Sequence, residues 1–258
     1  MVQVATALLR ASLTLAMQYR SDFLIDMLTG VLRTLAAVAP IALVFSQRET
    51  ILGWTAPEVT LVAGLYFLMQ AALAGLVEPN LGEIVEAVRS GSLDFVLLKP
   101  ADAQVLVSMR RVDPAHLWDL LAAVLLLGWS ISAMEPPSLA DVGAAAVLLC
   151  SGLAAMYGIW LLAICTSFYF VRVDNLRFLL WSITDAGRWP LQVFARWIQL
   201  VLVVVIPVAV ITTFPALALR GTWSPSLLAT GVAVGIAFLV GSRWAWRASL
   251  AFYTSASS

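Results

Sequence analysis

Residues 139–171 read LADVGAAAVLLCSGLAAMYGIWLLAICTSFYFV, thirty-three positions carrying a single charged side chain, Asp141. A helix rises about 1.5 Å per residue, and about 20 apolar residues cross the hydrocarbon of a bilayer. A soluble surface helix would need a polar face, and this stretch has none to offer. It is read as a membrane span. Four more runs of similar character flank it, over residues 23–46, 58–79, 114–133 and 224–242. The region 173–220 is longer and is interrupted by Pro190, Pro207 and Pro215. Proline inside a helix removes a hydrogen bond and kinks or ends it, so this region is expected to hold one span plus a broken or re-entrant segment. An alternative puts span five at 196–213 and leaves 173–190 as an interfacial helix. Either way the chain is expected to be an all-α integral membrane protein with six spans and both termini on one side.

Composition agrees with this reading and removes whole classes of function. Of 258 residues, 62% are hydrophobic and 12% charged, and the mean hydropathy is +0.95. Soluble domains average about 25% charged residues. Nucleic-acid binders need basic surfaces, and here 15 Lys+Arg balance 15 Asp+Glu, so no nucleic-acid partner is expected. The single lysine, Lys99, precedes Pro100, whereas a P-loop requires Gly-Lys-Ser/Thr; no ATP site of that kind is expected on this chain. Cys150 and Cys165 sit in one apolar run. On a continuous helix they stand about 22 Å apart, and a disulfide needs Cα atoms within about 7 Å. With one histidine and no Cys/His cluster, no metal site is expected.

Ahead of the first span, Gln3, Thr6, Arg10, Thr14 and Gln18 recur at spacings of three or four among Leu, Val, Ala and Met. One polar stripe on an apolar helix suits a segment lying in the membrane interface, expected over residues 1–22. A cleavable signal peptide would need a basic start and a small-residue cleavage site, and Arg10 and Arg20 fall at the wrong end.

Arginine placement gives an orientation. Six spans put Arg10, Arg20, Arg89, Lys99, Arg110, Arg111, Arg172, Arg177, Arg243 and Arg247 on one side. Arg48, Arg188, Arg196 and Arg220 fall on the other, with Arg33 inside span one. Basic residues mark the cytoplasmic face, so both termini are expected in the cytoplasm.

The loop over residues 80–113 is the most informative segment. Leu81, Ile84, Val85 and Val88 recur at helical spacing, with Glu83, Glu86 and Arg89 facing elsewhere and Gly91 as a helix stop. Periodicity leaves two readings open: a helix resting on membrane lipid, or one whose apolar face docks in a partner's groove.

The run Ile84-Val-Glu-Ala-Val-Arg-Ser-Gly-Ser-Leu-Asp-Phe-Val-Leu-Leu-Lys-Pro100 resembles the "I…R.G.LD..LL.P" signature of bacterial ATP-binding-cassette (ABC) export permeases of the second type, in particular the six-span family often encoded beside one ATPase. Gly187-Arg188-Trp189-Pro190 and Ile206-Pro-Val-Ala-Val-Ile-Thr-Thr-Phe-Pro-Ala216 are similar to that family's "GR.P…IPVAFITTFPA" region.

The resemblance implies one permease domain over residues 1–258, without catalysis of its own, in a bacterial cytoplasmic (inner) membrane. It would export a lipid, drug, peptide or glycolipid. ATP and Mg would be bound by separate cytoplasmic ATPase subunits, and a second permease, identical or related, would complete the transporter. The coupling segment then comprises Leu81, Glu83, Ile84, Val85, Glu86, Val88, Arg89, Gly91, Leu93, Asp94 and Pro100. A re-entrant gate in the extracellular half comprises Pro190, Pro207, Thr212, Thr213 and Pro215. An ion-driven secondary transporter would want midplane carboxylates and inverted repeats, neither evident here. A scaffold or sensor would leave the amphipathic helix unused.

Charges within spans are costly and usually face a partner or water. Asp26 and Arg33 lie seven apart on nearly one helix face, but about 10 Å apart along the axis. Arg33 is therefore a candidate for a hydrophilic path or for a pair with another helix. Glu78, Asp113 and Asp119 are expected to cap helices or pair with Arg110 and Arg111, and His116 to be structural. Gly231 and Gly235 form a Gly-x-x-x-Gly step that permits close helix packing.

Overall fold

The computed structural model describes residues 20–100, 102–108, 111–169 and 174–253. The expected interfacial helix lies outside the described residues apart from its last three positions, as do Arg110 and Arg172. Among the described residues there are helices and turns but no strand.

The first helix, α1 (Arg20–Phe45), leads through a turn into α2 (Ala56–Ala72). A π-helical segment, Leu73–Val77, joins α2 without a break to α3 (Glu78–Ser90). Two short helices follow, α4 (Asp94–Leu97) and α5 (Ala103–Ser108). Next come α6 (Leu117–Ser132), α7 (Leu139–Cys165) and α8 (Asp174–Thr184). A broken pair follows: α9 (Arg196–Leu200) with its π-helical continuation Val201–Val205, then α10 (Val208–Ile211) and α11 (Thr213–Leu219). The chain closes with α12 (Pro225–Phe252).

Local chemistry sets the helix starts. Asp141, the one charge in the stretch that opened the sequence reading, accepts from the Ser138 amide at 2.9 Å, while Ser138 Oγ accepts from the Asp141 amide at 3.2 Å. This reciprocal pair satisfies two amides that a helix start leaves unpaired. Glu58 does the same for Thr55 at 2.7 Å, with Pro57 in the first turn. Ser224 Oγ accepts from Leu227 at the start of α12.

Among the described residues five helices are long and apolar enough to cross a membrane, and the broken pair Arg196–Val205 and Val208–Leu219, bent by 76°, makes a sixth if it is one span. The Ala56–Val88 helix has 33 residues, about 50 Å of length against a hydrocarbon core of about 30 Å. One end must therefore project, and the polar Glu78–Ser90 end is the one suited to water. The amphipathic segment expected inside a loop is thus a rigid continuation of span two, because nothing between Ala72 and Glu78 breaks the helix. The π segment accommodates the join.

The packing is built on two pairs, α7 along α12 and α2 along α6. A Cβ at Gly235 would stand 2.7 Å from the Ser151 carbonyl oxygen, and one at Gly231 would overlap the Leu148 side chain. The Gly-x-x-x-Gly step thus serves close packing of α12 on α7. The region 173–220 is placed by its contacts with α2. Trp181 meets Glu78, Asp185 meets Tyr66, and Trp189 packs in the cluster of Trp54 and Leu61. Residues 181–189 therefore travel the length of α2 from its projecting end toward its start. Eleven residues of α8 reach only about 16 Å, and the remainder is carried by tight turns at Asp185–Arg188 and Leu191–Val193. The second limb of the broken pair ends beside the start of α2, where Arg220 Nε lies 2.6 Å from Glu58 Oε1.

Candidate functional site

The segment expected to couple to a partner is held from beneath by its own chain. Leu81 and Ile84 are buried, Val85 is 8% exposed, and Leu93 and Val96 beyond the turn are buried with them in one core with Trp160 and Ile164. Gly91 takes a φ of 73°, the left-handed conformation that ends α3 and folds α4 back. Glu83 pairs with Arg111 at 2.8 Å. Asn80, 1% exposed, donates to the Arg111 carbonyl and accepts from its amide, both at 2.7 Å. At the start of α5, Arg243 of α12 pairs with Asp102 and donates to Gln104 at 2.8 Å. Gln104 and Ser108 reach Tyr157 of α7 at 3.1 and 2.8 Å. The Arg243 guanidinium holds the Asp102 carboxyl below the usual carboxylate range.

The apolar face expected to enter a partner's groove is therefore largely covered internally: Leu81, Ile84 and Val85 face the bundle and Val88 is half-buried. Surface is offered instead by Glu86, Ser90 and Pro100, by Phe95 at 73% exposed and by Leu98 at 81%. Asp94 is half-buried at the start of α4, and Arg89 occupies the last turn of α3. The sequence reading missed Phe95 and Leu98. Their signal was an apolar pair three apart on a four-residue helix, too short for periodicity to orient.

A polar network joins α1, α2, α6 and the turn after α8. Arg33 on α1 reaches Asp119 on α6 at 3.3 Å, and His116 Nδ1 lies 2.8 Å from the same carboxylate, which is 1% exposed. Arg33 thus pairs with another helix, and Asp119 takes Arg33 and His116, while Arg111 pairs with Glu83; Arg110 lies outside the described residues. Asp113 caps the turn at Ala115 at 3.0 Å, and Glu78 accepts from Trp181 Nε1 at 3.2 Å. Nearby, Tyr66 donates to Asp185 at 2.6 Å and accepts from Gln70. Arg188 pairs with Asp185 at 2.9 Å and stacks 5.1 Å over the Tyr66 ring. Tyr66 and Gln70, four apart on one face of α2, were the legible trace of this second half.

The residues expected to form a gate come together around the break. Pro207 stands at the 76° bend, and Thr212, fully buried, donates to the Val208 carbonyl at 3.0 Å. Thr213 Oγ1 accepts from the Leu191 amide at 3.1 Å, directly after Pro190. Pro215 is buried in α11. A Cβ at Gly187 would stand 2.5 Å from Val208 Cγ1, so the break packs on the residue before Arg188.

Apolar helices of spanning length, an unbroken helix projecting from the second span and a broken pair closing on its start define a multi-span membrane protein. The family model for ABC-2 family transporter proteins matches residues 31–257. The chain belongs to that family. No curated protein and no solved structure matches it.

Proposed function

We propose that this chain is the membrane-spanning permease subunit of an ATP-driven exporter, working with a separate ATPase that binds ATP and Mg. Membership of the ABC-2 transporter family carries the reading. The only lysine being Lys99, followed by Pro100, supports hydrolysis in trans, because a P-loop cannot be assembled from this sequence. The substrate class left open by the sequence is a lipid, drug, peptide or glycolipid, moved outward across a bacterial inner membrane.

In this reading both termini are cytoplasmic, a second permease completes the pathway, and residues 174–194 make the fifth crossing. The broken pair is then re-entrant from the outer side, with Pro207 at its depth. The ATPase docks on the exposed edge of the coupling segment: Glu86, Phe95 and Leu98. Motion applied there passes along an unbroken helix from Ser90 to Ala56, so docking reaches Tyr66 and Gln70 without a flexible joint.

The test is reconstitution of the permease with the ATPase encoded beside it. Nucleotide hydrolysis stimulated by the permease, with co-purification of the two, is expected. An ATPase that neither co-purifies nor changes its turnover in the permease's presence would overturn the reading.

A further inference from the structure

Between the two halves of the polar network lies a small chamber of about 10 Å³, lined by Arg33, Tyr66, Phe67, Gln70, Asp119 and Arg188. Four parts of the chain meet there: α1 brings Arg33, α2 brings Tyr66, Phe67 and Gln70, α6 brings Asp119, and the turn after α8 brings Arg188. Each half of the network closes on itself. Asp119 holds Arg33 at 3.3 Å and His116 at 2.8 Å. Arg188 donates to Asp185 at 2.9 Å and to the Tyr66 hydroxyl at 3.4 Å, while Tyr66 donates to Asp185 and accepts from Gln70. Asp119 and Arg188 therefore share no partner among the described residues, although both border the same small volume.

Matching donors to acceptors around this volume leaves a remainder. Arg188 Nε is buried and has no hydrogen-bond partner within the protein, and a buried charged donor left unpaired is costly. Gln70 gives its amide nitrogen to Tyr66, which leaves its carbonyl oxygen as an acceptor. Asp119 is 1% exposed, and a carboxylate has room for more donors than Arg33 and His116 supply. One donor and two acceptors thus remain around a space the size of a single water site. A water molecule accepts and donates in that combination. An ion of either sign is a worse match. Two guanidiniums border the space and repel a cation, while Asp119 and Asp185 already neutralise them against an anion.

We propose that the chamber is a hydration site: one ordered water accepts from Arg188 Nε, donates to Asp119 and to the Gln70 carbonyl oxygen, and so joins two separate ion pairs into one unit. The consequence is mechanical. Without the water, Arg33 and Asp119 tie α1 to α6, and Asp185 and Arg188 tie the turn after α8 to Tyr66 of α2. With it, the four elements are held together within the span region. The same turn carries Gly187, where a Cβ would stand 2.5 Å from Val208 Cγ1, so the water also links α1 and α6 to the residue that follows the break at Pro207.

Two measurements on the full-length permease test this. A structure at a resolution that shows ordered water should place an oxygen within hydrogen-bond distance of both Arg188 Nε and Asp119. A chamber without density, or an Nε bonded directly to a protein acceptor, would overturn the proposal. The second measurement is the thermal midpoint in detergent of Arg188→Lys, Asp119→Asn and the double variant. Arg188→Lys keeps a cation beside Asp185 but deletes the Nε donor, and Asp119→Asn weakens the acceptor at the other end. Residues that share no partner lose stability additively, so a downward shift in the double variant smaller than the sum of the two single shifts reports the bridge. Arg188→Lys combined with Tyr66→Phe, whose side chains touch directly, is the positive control for such coupling. Additive shifts for Asp119 and Arg188 beside a coupled control would overturn the bridge. Should a variant fail to purify as a monodisperse species, the density decides. Neither measurement contains an ATPase, so the outcome leaves the export reading untouched.

Discussion

Arg33 on α1 and Asp119 on α6 are joined at 3.3 Å within the span region, and Asp119, 1% exposed, is held on its other oxygen by His116 at 2.8 Å. The pair adds an ionic link to the apolar packing of α1 on the bundle, where Ala37 and Ile41 are buried, in surroundings where an unpaired ion is costly. Because His116 stays with Asp119 when Arg33 is removed, Arg33→Leu should lower thermal stability in detergent less than Asp119→Leu, which strands a guanidinium facing lipid. A double-mutant cycle between the two sites should show a coupling of about 1–3 kcal/mol. Additive losses would mean that the pair contributes only through geometry.

The coupling segment separates two outcomes that sequence periodicity merges. Val85 is covered by its own chain, so Val85→Asp should destabilise the permease itself, since burying an unpaired carboxylate is unfavourable by several kcal/mol. Phe95→Ala with Leu98→Ala removes only exposed surface and should leave the permease monodisperse while the ATPase no longer co-purifies. Size-exclusion profiles and pull-down yields read the two effects separately. Full ATPase recovery with the Phe95/Leu98 pair replaced would move docking away from α4.

Much of this fold was legible because a spanning helix declares itself through one variable, apolar length, and five such runs could be read without tertiary information. The stop at Gly91 was legible for a similar reason: it rests on local backbone chemistry. What escaped was set by contacts distant in sequence. Periodicity placed Leu81, Ile84 and Val85 on one face, but nothing in it says whether that face meets a partner or, as here, the α7 helix of the same chain. The partners of Asp119 escaped likewise, since Arg33 lies 86 residues away and Arg110 and Arg111 were the near alternatives. The course of residues 174–194 was blurred because a short helix continued by tight turns has no single period.

Asp102, just ahead of α5, and Arg243 on α12 fasten the segment after α4 to the last helix. The guanidinium lowers the Asp102 carboxyl from its ordinary value, so the fastening is present above the usual carboxylate range and is lost as pH falls through the lowered value. Asp102→Asn should therefore expose residues 94–108 to proteolysis at neutral pH, whereas the unmodified chain should show comparable cleavage only under acidic conditions. Equal protection of both at neutral pH would show that Gln104 and Tyr157 suffice.

Orientation can be read directly by thiol labelling in a background where Cys150, which is exposed, is first replaced. Gln47→Cys lies in the exposed turn between α1 and α2, and Lys99→Cys on the exposed loop beyond α4. With basic residues marking the cytoplasm, an impermeant maleimide added to intact cells should modify position 47 and spare position 99 until the cells are opened. The reverse order would invert the topology and place the coupling segment where no ATPase can reach it.

The break at Pro207 offers the sharpest separation of architecture from function. Pro207 has no amide to donate, and the helix turns by 76° between Val205 and Val208, a geometry tolerated at membrane depth only where neighbouring groups satisfy the freed backbone. Here the Ile206 amide donates to the Val201 carbonyl at 2.9 Å, and Thr212 donates to Val208 at 3.0 Å. Pro207→Ala supplies a donor and relaxes the constraint on φ, so the two limbs should approach a continuous helix. That would pull Val208 from its seat against Gly187. Thr213→Val makes the complementary change: it leaves the bend but removes the acceptor of the Leu191 amide, at a cost of about 1–3 kcal/mol for a buried unpaired donor. If the bend itself is needed for substrate passage, Pro207→Ala should abolish efflux in the reconstituted pair while the permease still purifies as a monodisperse species. Thr213→Val should lower stability and efflux together. Unimpaired efflux with Pro207→Ala would show that the bend is a packing solution and place the gate elsewhere, with the Tyr66, Asp185 and Arg188 network as the next structure to test.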